Sequence, residues 1–166
     1  MINNHVNEDG FEVNSSKCYS CVVLPDNKIA VSLGMLGEDS SIVLTAMRGD
    51  NHAIALYLES NDAMALSVAL LECINDAISY GKEGCIKSKS FVIEDKYVRL
   101  RKVTVSPDAE VDNHLNGTIR LKLSNISAPG KKVAVSRMII TLDPVGAIEL
   151  QHDLALVIYK ESLLKL

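Results

Sequence analysis

The chain predicts an α+β fold: a mainly antiparallel sheet of about eight strands, with one long, largely buried helix over 61–80 set between two β-rich halves. Three observations lead there. Short β-branched and apolar runs flank a single long stretch of helical periodicity. Gly, Pro, Asn and Asp punctuate those runs at hairpin spacing. Strands come in blocks before and after the helix rather than in βαβ alternation, and no internal repeat or low-complexity segment interrupts them.

The elements follow in order. Residues 1–16 are polar apart from Ile2, Val6, Phe11 and Val13, so a flexible N-terminal segment is expected there, with a single α+β domain over 17–166. Lys17–Leu24 and Lys28–Leu33 form a hairpin around Pro25-Asp26-Asn27, and Gly34 and Gly37 mark the next break. Ser41–Met47 and His52–Leu58 make a second hairpin around Arg48-Gly49-Asp50-Asn51. Its apolar residues fall on both parities, Ile42 and Leu44 against Val43 and Met47, which calls for cover on both faces of the sheet.

The helix begins at Ser60 or Asn61 as N-cap, has Asp62 in its first turn, and is expected to stop at Gly81. Asn61, Glu72, Asn75, Asp76 and Ser79 form a narrow polar stripe, while Met64, Leu66, Leu70, Leu71, Cys73, Ile74, Ala77 and Ile78 fill the rest of the circumference. One sheet face does not need so wide an apolar arc, so the helix is expected to be sandwiched or to lie at a subunit boundary. Beyond the connector 81–90, strands are expected over 91–94, 97–105, 117–123 and 132–142, with a loop over 124–130. Asp143-Pro144-Val145-Gly146 reads as a turn, Leu154–Tyr159 as a strand and Lys160–Leu166 as a short helical end.

With 166 residues, 48% apolar and 23% charged, the composition is that of an ordinary globular domain and not of a disordered chain. The start lacks the basic and apolar regions of a signal peptide, and no apolar run approaches a membrane span, so a cytoplasmic protein without membrane attachment is expected. The four cysteines then stand as thiols. The net charge of -4 is unevenly spread: residues 1–62 hold three basic and nine acidic side chains, and residues 97–137 hold eight basic and three acidic ones. Such asymmetry steers charged partners, or a second copy in a homodimer, toward one end.

Cys18-Tyr19-Ser20-Cys21 has the spacing of zinc and dithiol sites, but it sits in a strand pattern where residues three apart face opposite ways, and no second ligand pair completes a tetrahedron. Asp108-Ala109-Glu110-Val111-Asp112-Asn113-His114 opens like a calcium loop. Asn113 stands where that loop needs Gly and Ile119 where it needs the bidentate Glu, so no metal or other cofactor is assigned. Arg48-Gly49-Asp50 reads as a turn. There is no nucleophile elbow, P-loop, dinucleotide fingerprint or H-E-x-x-H, so no catalytic residues are assigned.

The function expected is a non-catalytic protein-binding module, of the inhibitor or immunity type, that blocks a basic partner such as a toxin or nuclease through Glu38, Asp39, Asp108, Glu110, Asp112 and His114. One alternative is a small enzyme or metal-binding domain using the Asp108–His114 loop. Another is nucleic-acid binding through the basic strands 97–137, where Arg99, Arg101, Arg120 and Lys122 offer a basic face and Arg137 a further charge. Nucleic acid is the weaker reading on sequence, because only Tyr97 lies nearby for stacking and the isoelectric point is near 5.5.

Overall fold

A computed structural model of the chain describes residues 3–7, 9–10, 12–15, 17–49, 51–87, 90–97, 101–107, 118–125 and 137–166. Among them are ten strands and two helices, all the strands pairing antiparallel in two separate sheets. The α+β class with antiparallel sheets holds; the single sheet and the single helix do not. The first sheet runs β1 (Asn3–Val6), β2 (Glu12–Ser15), β4 (Asn27–Leu36), β5 (Asp39–Arg48), β6 (Asn51–Leu58), and β3 (Tyr19–Ser20) joins β2 on the same edge of β4. The second runs β10 (Arg137–Leu142), β9 (Ile119–Asn125), β8 (Arg101–Pro107), β7 (Phe91–Glu94).

Gly37 turns the β4–β5 hairpin and Gly49 the β5–β6 hairpin, each at positive φ (62° and 60°), a conformation that costs a residue with a Cβ. Gly34, expected as a break, instead continues β4 opposite Ser41. The two-sided pattern of the central strands is realised. Ile42, Leu44, Ile54 and Leu56 enter the main core, while Val43 and Tyr57 are buried on the opposite face. There the Asn7 amide donates to the Tyr57 hydroxyl (2.8 Å), and that hydroxyl donates to Asp9 Oδ2 (2.5 Å). Arg101 also reaches Asp9, at 3.1 Å, tying the N-terminal strands to the second sheet.

Helix α1 (Ser60–Lys87) starts where expected but runs through Gly81. One helical Gly costs about 1 kcal/mol relative to Ala, a penalty too small to end an established helix. Helix α2 (Pro144–Leu164) replaces the expected turn, strand and short helical end. The physical reason lies in its first residues. Asp143 is an N-cap whose Oδ1 accepts from Gly146 N (2.6 Å), and Pro144 takes the first helical position, where its missing N–H is not needed.

Both halves of the chain therefore have the same plan, an antiparallel meander followed by a helix, although the sequence shows no repeat. The helices are exchanged. α1, which follows the first sheet, lies mainly on β7 and β8 of the second, whereas α2, which follows the second sheet, lies mainly on β4 and β5 of the first. The helices pack antiparallel on one another, Gln151 Nε2 donating to Ser67 Oγ (2.9 Å) and Ser60 Oγ to Glu161 Oε1 (3.3 Å). One hydrophobic core, with Ile29, Leu66, Leu121 and Leu150 among its members, joins both sheets and both helices. The expected sandwiching of α1 is corrected at its outer face: Met64, Leu71 and Ile78 are 54%, 48% and 57% exposed.

Candidate nucleic-acid interface

The second sheet presents two unlike faces. Val103, Val105, Ile119, Leu121, Leu123, Met138, Ile140 and Leu142 point into the core, so strand alternation sends the residues between them outward. The register arranges that outer face in rows. Glu94, Lys102, Ser124 and Arg137 form one row; Val92, Thr104, Lys122 and Ile139 the next; Ser106, Arg120 and Thr141 the third. Val92, Glu94 and Arg137 are exposed, Lys102, Thr104, Ser106, Arg120, Lys122 and Ile139 are half-buried, and Ser124 and Thr141 are buried. Residues two apart on a strand are separated by about 7 Å and neighbouring strands by about 5 Å, so the four cations, spread over three rows and three strands, lie within a patch of about 14 Å by 10 Å. Among the described residues of this face, Glu94 is the one acid, directly opposite Lys102.

Of the basic residues singled out by sequence, Arg120 and Lys122 share this face. Arg101 does not. It has the parity of Val103, and its guanidinium donates to Asp9 Oδ2 (3.1 Å) and to the Ala55 carbonyl (3.2 Å), so it links the two sheets. Arg99 lies outside the described residues, as do Asp108, Glu110, Asp112 and His114. Lys102 was not among the expected site residues. Its alternation with Thr104 and Ser106 is visible in sequence, but its alignment with Arg137 is a matter of register.

Glu38 and Asp39 are exposed at the β4–β5 hairpin, on the wall of an open cavity of about 570 Å³ shared with Glu59, Lys96, Tyr97 and Lys165. Lys96 Nζ donates to the Ser40 carbonyl (3.2 Å) and sits 4.8 Å from the centre of the Tyr97 ring. Lys165 is paired with the buried Glu161 at 2.6 Å, and that carboxylate pushes its ammonium pKa above the ordinary value.

The cysteines separate by burial. Cys18 is exposed, whereas Cys21 and Cys73 are buried thiols outside any disulfide. Cys21 Sγ accepts from Thr141 N (3.2 Å) and from Leu24 N (3.5 Å), a structural role. Among the described residues no group of three His, Cys, Asp or Glu side chains could hold a metal ion, and no helix is long and apolar enough to cross a membrane. Tyr19 donates a short hydrogen bond to Asp153, and burial together with that carboxylate raises its phenol pKa. Beside it Lys17 pairs with Glu149 at 2.8 Å, which raises the lysine's pKa. These contacts fasten β3 to α2. No protein-family model matches this sequence, and no curated protein matches it.

Proposed function

We propose that the chain is a non-catalytic binding protein whose second sheet holds a single-stranded nucleic acid by its phosphates. The observation that carries this reading is the convergence of Lys102, Arg120, Lys122 and Arg137 on one outer sheet face with a single opposing acid among its described residues. Phosphate contacts need cations at this density, and the half-buried Thr104 and Ser106 add hydroxyls of the kind that bond phosphate and sugar oxygens. A sheet face offers no element to enter a duplex groove, whereas an extended single strand can lie across it. Val92 and Ile139 provide apolar contact for bases. Without a described aromatic on the face, affinity rests on charge and sequence preference is slight. The net charge of -4 makes the rest of the surface unfavourable for phosphates, which confines binding to this sheet.

Titrating a labelled single-stranded oligonucleotide by fluorescence anisotropy at several salt concentrations tests the reading. Three or four phosphate contacts give a slope of log K against log salt of about -2 to -3. Reversing Arg120→Glu and Lys122→Glu together removes binding, and Glu94→Lys strengthens it. No binding at about 50 mM salt, or a slope indifferent to the reversals, sinks it.

A second reading, the protein-binding module that meets a basic partner, is favoured by one observation: on the wall of one open cavity Glu38, Asp39 and Glu59 outnumber Lys96 and Lys165, and Lys165 is already paired with Glu161. A partner recovered from the native host, released by salt and lost on Glu38→Lys with Asp39→Lys, supports it. Recovery unchanged by those reversals removes it.

A further inference from the structure

α1 has two apolar faces, and the fold uses one. Ala63, Leu66, Leu70, Cys73, Ile74 and Ala77 are buried against the core. On the outer side Met64, Val68, Leu71, Asn75 and Ile78 succeed one another at steps of four, three, four and three residues. The four apolar members are 48–57% exposed, and Asn75 is exposed with them. Steps that average 3.5 are the period of two helices packed along each other, rather than of one helix lying on a sheet.

We propose that this stripe is the seam on which α1 packs against α1 of a second copy of the chain, with Asn75 meeting Asn75 at the two-fold axis. The residue types fit that occupant. One row holds the β-branched Val68 and then Asn75; the other holds Met64, Leu71 and Ile78. An Asn in an apolar seam costs stability unless the partner presents a matching amide at the same level, and an identical helix does so by symmetry. No charged side chain interrupts the stripe, so two copies meet without like-charge contact along it.

The available area suits a dimer as well. α2 lies beside α1, antiparallel, and exposes Ile148, Leu156 and Tyr159 on the same outer layer. With about 1.5 Å of rise per residue and about 10 Å between helices, the two-helix face spans roughly 20 Å by 20 Å in projection. Its accessible area is larger than that footprint and on the order of the ~800 Å² per partner that stable interfaces bury. This inference is independent of what the sheet binds.

Sedimentation velocity of the full chain provides the test. The wild type sediments as a dimer at micromolar concentration. Leu71→Glu raises the dissociation constant roughly 100-fold or more, because each dimer carries the change twice at the centre of the seam, and a half-exposed residue leaves the circular dichroism spectrum and melting temperature of the monomer intact. Val92→Glu, an equally exposed apolar residue on the second sheet, leaves the dimer unchanged. Asn75→Leu tightens association and admits larger assemblies. A wild type that stays monomeric up to about 100 μM, a dimer untouched by Leu71→Glu, or association indifferent to Asn75→Leu overturns the proposal.

Discussion

The backbone of Tyr57, on the free edge of β6, is closed by Asp95 and its neighbour. The Tyr57 amide donates to Asp95 Oδ2 (2.7 Å), and the Tyr57 carbonyl accepts from Lys96 N (2.9 Å). The other sheet is closed in the same manner, since Thr141 N donates to Cys21 Sγ (3.2 Å) and Thr141 O accepts from Val22 N (2.8 Å). In each case a turn from one half covers the edge strand of the other, where open backbone groups would otherwise invite pairing with another chain. Together with the exchanged helices, these contacts make either half an incomplete unit on its own.

Asp95 is therefore expected to be sensitive even to its isostere. Oδ2 accepts from Tyr57 N and Oδ1 from Tyr97 N, each at 2.7 Å, so both oxygens of a buried carboxylate receive N–H donors. Asn must turn an NH2 group toward one of those donors. Asp95→Asn should lose nearly as much stability as Asp95→Ala, about 2–3 kcal/mol, read as a lower midpoint of urea unfolding. A near-neutral Asn variant would show that only one of the two bonds matters.

Thiol chemistry offers a second check. Cys18 is exposed, whereas Cys21 and Cys73 are buried, Cys21 as a hydrogen-bond acceptor for two backbone amides. Under native conditions a maleimide should label Cys18 quickly and spare Cys21 and Cys73 until denaturant is added, as read from peptide masses. Equal labelling of Cys18 and Cys21 would contradict the closure of the β10 edge.

How far the fold was legible depends on what kind of information each element needs. The start of α1 was readable from Ser60, Asn61 and Asp62, and the two-faced central strands from the mixed parity of Ile42, Val43, Leu44 and Met47, because both are local patterns. The end of α1 was not, since Gly81 stops a helix only when nothing favours continuation. α2 was misread for a different reason: Asp143-Pro144 is at once a turn signal and an N-cap with a first-turn Pro, and Leu154–Tyr159 holds enough β-favouring residues to tip the balance. Exchange of the helices and register across the second sheet are long-range properties. That is why Arg120 and Lys122 could be placed together from parity alone, whereas the alignment of Lys102 with Arg137 and the diversion of Arg101 to Asp9 could not.

The cap itself can be weighed. Asp143 Oδ1 accepts from Gly146 N at 2.6 Å, satisfying one of the orphan donors at the start of α2. Asp143→Ala should cost about 1 kcal/mol, and Asp143→Ser should restore most of it, in thermal or urea unfolding. If Ala and Ser behave alike, the capping bond is not what starts α2.

The buried phenol of Tyr57 makes a prediction at high pH. Burial first, and then the hydrogen bond to Asp9, push its pKa well above the ordinary value near 10, and Tyr19 is raised by the same two causes, with Asp153 as its carboxylate. The sign follows from proton counting. Above pH 10 the unfolded chain releases these phenolic protons while the folded chain keeps them, so the folded state binds more protons and stability falls as pH rises. The contribution is complete below about pH 10 and is lost progressively above it. Tyr57→Phe forfeits the bonds to Asn7 and Asp9, about 1–2 kcal/mol at neutral pH, yet it should lose less stability than the wild type between pH 9 and pH 11. Urea unfolding of both proteins at those two pH values measures the difference directly, and tyrosinate absorbance should show Tyr57 ionising only with unfolding. Parallel pH dependence in the two proteins would mean that Tyr57 is not held in its protonated form by the fold.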